Sequence, residues 1–196
     1  PFEKNDITRF TRMMPFQNPP IVMKEHSYTL LTRAIHEVDF NDETGLQLEI
    51  YKSFSENAEL NFNGSISSRH SFYKFDQNMF TFSKQERSSD FLPSFSKEYS
   101  PYWELFGEVV YYFSETTYMK LALARRDKVF YDEIFGGLNN HIIKSTILPL
   151  QINHTFSSFY SFEGQVEYER VFDNFNVQRK YFDNYFGRII SVNYFE

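Results

Sequence analysis

Between Ala58 and Ser68 the sequence reads AELNFNGSISS, an almost unbroken alternation of apolar and polar residues. Ala58, Leu60, Phe62, Gly64 and Ile66 fall in one phase, and Glu59, Asn61, Asn63, Ser65 and Ser67 in the other. Side chains two apart share a face in a strand, so this pattern builds a ribbon with one apolar and one wet face. It does not suit a helix, whose apolar stripe recurs at three and four residues.

The same period recurs along the chain. Strands are predicted over 26–33, 45–54, 58–68, 102–113, 118–125, 142–153, 161–170 and 186–195, about eight in all, with no helix. Pro149, inside the sixth, suggests an edge, a bulge or a phase slip, because proline has no N–H for the ladder. Residues 1–25 hold Pro1, Pro15, Pro19 and Pro20 without a clean period and read as a lead-in loop, leaving 26–196 for the strands. No apolar run approaches the roughly 20 residues of a membrane helix, a test that does not exclude strands of about 9–11 residues.

The joins alternate in length. They are short at 55–57, 114–117 and 154–160, and long at 68–101, 126–141 and 171–185. Tight turns at one end and long loops at the other are the habit of up-and-down outer-membrane barrels. The expected fold is therefore all-β, an antiparallel up-and-down meander forming a transmembrane β-barrel or part of one. Leu48, Ile50, Leu60, Phe62, Leu105, Val109, Leu121, Leu123 and Val166 are expected to face lipid. Glu49, Glu59, Glu104, Glu108, Lys120, Glu163, Glu167 and Glu169 are expected to face the lumen. Lys52 and Arg170 continue the apolar phase at strand ends, where long cationic side chains can snorkel to an interface. Aromatics near strand ends, such as Phe54, Trp103, Phe113, Tyr118 and Phe195, fit interfacial girdles. Alternation alone does not identify the solvent on either face. A soluble all-β module, binding glycans through aromatic loops such as FYKFDQNMFTF (72–82), is the alternative.

Composition narrows the chemistry. Twenty-four Phe and 14 Tyr sit in a chain whose mean hydropathy is −0.50, so aromatics and polar groups are abundant together. A net charge of −6 argues against a nucleic-acid partner, which needs a basic face. The absence of cysteine removes disulfides and thiolate metal sites. The chain opens at Pro1 with nothing like a signal peptide, and is expected to be a mature protein or a piece of a longer one. His26, His36, His70, His141 and His154 lack metal-ligand spacing, so no metal or other cofactor is expected. Ser157 and Ser158 near His154 lack the G-x-S-x-G elbow. Glu104 and Glu108 lie about 13 Å apart along one strand, beyond the reach of paired glycosidase carboxylates unless a neighbouring strand supplies the partner. Catalysis is not expected. Lys120 and Arg126 are the candidate cross-strand partners of Glu104 and Glu108.

The stretches PPIVMKEHSYTLLTR, ETGLQLEIYKSF and FEGQVEYERVFDN resemble an uncharacterised family, a domain of unknown function, of outer-membrane β-barrel-like proteins of Gram-negative bacteria. In that family a Pro-Pro pair precedes a basic-His-Ser/Thr-Tyr strand, a loop and a Gly-led amphipathic strand. Pro19, Pro20, Lys24, His26, Tyr28 and Gly45 occupy those places here, and the likeness runs over 19–196. The turn NDETG departs from the family's usual Pro-Asn-Gly. The resemblance implies an outer-membrane location and the C-terminal part of a larger barrel, and it supplies no catalytic residues. The partners implied are the lipid bilayer and other membrane or periplasmic proteins.

Overall fold

The computed structural model of the chain describes residues 26–33, 36, 42–76, 78–87, 91–131, 140–176 and 178–193. The lead-in loop expected over 1–25, and Phe195, lie outside them. The described residues form an all-β molecule. Seven strands make one antiparallel sheet, and a two-stranded hairpin stands apart from it.

The sheet consists of β1 (Glu43–Ser55), β2 (Ala58–Arg69), β5 (Tyr102–Ser114), β6 (Thr117–Phe130), β7 (His141–Ser157), β8 (Tyr160–Asp173) and β9 (Tyr181–Asn193). They pair in that order as a meander. Every strand is 12 to 17 residues long, about twice the usual length in globular proteins. No pairing between β1 and β9 closes the sheet among the described residues.

The three tight hairpins share a construction. Phe54-Ser55, Phe113-Ser114 and Phe156-Ser157 each lead into a two-residue turn. In each, the serine Oγ accepts the N–H two residues on, at 3.3, 3.3 and 3.2 Å. A register shift falls beside each turn as well. The three phenylalanines are exposed at this rim.

Three expectations are corrected. The segment 26–33 is not a strand, since Thr29–Arg33 forms a short helix, α1. Leu30 and Leu31 are both fully buried, and neighbours in a strand would point opposite ways. Residues 68–101 are more than a loop. They hold the hairpin of β3 (Ser71–Asp76) and β4 (Thr81–Glu86), then a 3-10 turn at Lys97–Tyr99. Pro149 marks neither an edge nor a slip. It sits inside central strand β7, opposite Glu167, and the β6–β7 register is the same on both sides of it. Its effect is a local gap in that ladder, as the missing N–H requires.

Candidate functional site

Register carries one polar face across the sheet. Asn63 and Ser65 of β2 lie opposite Phe106 and Glu104 of β5, and Glu104 lies opposite Arg126 of β6. Further on, Arg126 lies opposite Ser145 of β7, and Pro149 and Gln151 lie opposite Glu167 and Gln165 of β8. The eight polar residues singled out above, Glu49, Glu59, Glu104, Glu108, Lys120, Glu163, Glu167 and Glu169, all fall in this phase.

Burial along this face is uneven and contrary to chemistry. Glu167 is 0% and Glu104 1% exposed, whereas on the opposite face Leu48 is 59% and Val166 60% exposed. Leu105, Val109, Leu121, Leu123 and Ile50 are exposed with them, and Leu60 and Phe62 are half-covered on the same side. Glu49, midway along end strand β1, and Glu59, next to a turn, are exposed, and Glu108, Lys120 and Glu163 are half-buried. The sheet hides its carboxylates and presents its leucines.

What hides them is the stretch from His26 to α1. Tyr28, Leu30 and Leu31 pack on Phe106, Ala122, Ala124 and Ile147, with Phe186 alongside. The small side chains at Ala122 and Ala124 leave room there for a helix. Three carboxylates then receive the segment. Glu167 accepts the N–H groups of Thr29 and Leu30, both at 2.7 Å, one on each oxygen. These are amides of the first helical turn, which have no partner within the helix and favour an anion. Gln165 Nε2 donates to the same carboxylate at 2.6 Å. Glu108 accepts the Tyr28 hydroxyl at 2.5 Å. Glu104 lies 2.8 Å from His26 Nε2 through one oxygen, and its other accepts from Arg126 Nε and, at 3.2 Å, from the Tyr102 hydroxyl. Burial, then the bond to Glu108, pushes the Tyr28 hydroxyl well above its ordinary pKa, so it stays protonated and donating.

Of the two cations expected to pair with Glu104 or Glu108, Arg126 does and Lys120 does not. Lys120 lies over the Tyr118 ring at 5.6 Å. Glu163 is met by Arg188 of β9, and Glu169 accepts Asn184 Nδ2 at 2.9 Å. A second contact of the same kind lies nearer the long loops. His36 is stacked on Tyr102 at 4.5 Å, and its Nε2 is 2.6 Å from Glu43. Around Glu104, Asn63, Ser65 and Arg126 Nη1 are buried without partners among the described residues. Such groups are costly in a dry apolar interior and ordinary in a hydrated one.

Three of the seven carboxylates of this face therefore receive one segment of the same chain. The roles of His26 and Tyr28 were not legible locally, because their partners lie 78 and 80 residues away. The adjacent Leu30-Leu31 pair was the available signal, since it breaks the period of two. Among the described residues no group of three His, Asp or Glu side chains could hold a metal ion. Comparison of the chain with protein-family models, curated proteins and solved structures finds no match in any of the three.

Proposed function

We propose that this chain builds the wall of a transmembrane β-barrel in a Gram-negative outer membrane, porin-like in architecture, with residues 26–33 seated in its interior. Its role is structural or partner-binding and needs no catalytic step. The observation that carries the reading is the inverted polarity: buried carboxylates, amides and hydroxyls on one face, exposed leucines and aromatics on the other. A sheet in water does the reverse, because removing apolar surface from water is the main driving force of folding.

Dimensions agree. Trp103 and Phe113 sit on the outward face of β5, ten residues apart, or about 34 Å along the strand. At the ordinary barrel tilt of about 40° that becomes roughly 26 Å of height, against an apolar band of about 25 Å. Backbone groups left unpaired in hydrocarbon cost several kcal/mol each, so β1 and β9 take further strand partners in the membrane. The resemblance to barrel-like outer-membrane proteins points the same way. The exposed aromatics of the β3–β4 hairpin (Tyr73, Phe80 and Phe82) would suit a binding role in either solvent. The outward leucines disfavour the soluble glycan-binding alternative.

Fractionation of a Gram-negative host expressing the chain tests this reading. It predicts recovery with the outer membrane and extraction by detergent alone. Monodisperse protein in plain buffer would overturn it.

A further inference from the structure

The outward face changes character abruptly at its long-loop end. Leu148, Tyr168 and Tyr185 form one register row; the next begins at Leu105 and ends at Asp183, the one after begins at Trp103 and Asp127, and between them these two rows hold Arg125, Thr146, Arg170, Lys144, Phe172 and Tyr181. These last six line a cavity of about 320 Å³. Two carboxylates lie beside it in the same rows, outside its lining. Asp127 is shared by Arg125 at 3.3 Å and Lys144 at 3.0 Å, and Asp183 accepts the Tyr168 hydroxyl at 2.8 Å. Three cations against two carboxylates leave one positive charge in excess. Arg170 makes no ion pair among the described residues, although Asp183 lies opposite it on β9; it is exposed and lies 5.6 Å from the Tyr181 ring centroid.

Further down the same strands the outward face holds an apolar groove of about 530 Å³, lined by Leu150, Ile152, Phe162, Val166 and Ile189. Gly187 floors it, since a Cβ built there would meet nothing within 4 Å, whereas the Phe162 ring covers Gly164 at 3.3 Å. Arg170 and Gly164 are six residues apart on β8, about 20 Å along the strand. At barrel tilt this is close to the 15 Å hydrocarbon depth of one leaflet.

We propose that these two features form one binding site for a phosphorylated lipid of the leaflet on the long-loop side. Arg170, Arg125 and Lys144 take the headgroup phosphate, and an acyl chain lies in the groove over Gly187, against the Phe162 ring. The proposal rests on the barrel reading above. Guanidinium and ammonium groups are strong phosphate donors, and Lys144 shares its register row with Trp103, the aromatic residue that marks the edge of the outward band, where headgroups lie. The short-turn rim is different: its outward face carries Phe54, Phe113 and Phe156, with Lys52 beside Phe54.

The test uses the full chain. Insertion into phosphatidylcholine vesicles is scored first, by protease protection. Detergent-solubilised protein is then titrated with phosphatidic acid, phosphatidylcholine and inorganic phosphate. Wild type should prefer phosphatidic acid to both. Arg170→Gln and Lys144→Gln should each weaken phosphatidic acid about fivefold and leave phosphatidylcholine unchanged. Lys84→Gln, the same charge change on the β3–β4 hairpin, should have no effect. Gly187→Phe should weaken phosphatidic acid but not inorganic phosphate. Equal affinity for the two lipids overturns the site. So does an Arg170→Gln effect no larger than that of Lys84→Gln, or inorganic phosphate binding as tightly as phosphatidic acid. A chain that does not insert at all overturns the barrel reading, and the lipid site with it.

Discussion

Glu167 stands in the middle of β8 with both oxygens taken by the amides of Thr29 and Leu30. Replacing it with alanine leaves two donors of α1, one buried and one half-buried, without an acceptor. Each such orphan costs about 1–3 kcal/mol, so Glu167→Ala should destabilise the protein by roughly 2–4 kcal/mol in urea unfolding from detergent. Exposed Glu59→Ala should change little. Tyr28 gives a pH signature. Its pKa is raised in the docked state, so its contribution is intact below the ordinary tyrosine value of about 10. Above that pH the released hydroxyl ionises and the docked one does not, so stability falls as pH rises. Protease sensitivity of 26–33 should increase above about pH 10 in the wild type. Tyr28→Phe should remove that alkaline limb, at the cost of the bond to Glu108. These residue-scale contacts were the least legible in the sequence. Glu104, Glu108 and Glu167 could be assigned to a polar phase, but not to partners that arrive from the start of the chain.

At the scale of elements, the period of two placed β1, β2, β5, β6, β7 and β8 nearly where they lie, because long amphipathic strands repeat one simple signal many times. β9 begins at Tyr181 and not at 186, because Tyr181 to Tyr185 alternate aromatic with polar residues on both phases. The β3–β4 hairpin was hidden for a related reason. It turns through Phe80 at φ 51° without a glycine, and Asp76 Oδ1 holds the turn by accepting the Asn78 N–H at 2.8 Å. The helix was missed because five residues are too few for a helical period to show. For β6 the facing assignment is testable. Leu121 lies midway between Thr117 and Arg125, beside Val109 and Leu150. With lipid outside, Leu121→Arg should cost roughly 2–4 kcal/mol in vesicles, and Asn61→Arg on the other face much less. Equal costs, measured by unfolding in the same vesicles, would contradict the assignment.

For the whole molecule, the hairpin ladder and its alternating joins were legible, whereas the covering of the carboxylate face by residues 26–31 was not. An interior lined by Glu104, Glu108 and Glu167 would favour cations if open. With each of these carboxylates engaged by residues 26–30, the wild-type chain should conduct little in a planar bilayer. Glu104→Gln with Glu167→Gln should raise the frequency of open events. The central claim is that the leucine face meets lipid and the carboxylate face meets water. Because the chain has no cysteine, single substitutions can carry a nitroxide at any chosen position. The decisive measurement is nitroxide accessibility in reconstituted vesicles, at Leu48, Leu105, Leu123 and Val166 against Glu49, Glu59 and Lys120. The account predicts labels relaxed by oxygen and shielded from a water-soluble nickel chelate at the first four, and the reverse at the last three. Accessibility to the chelate at all seven would contradict it.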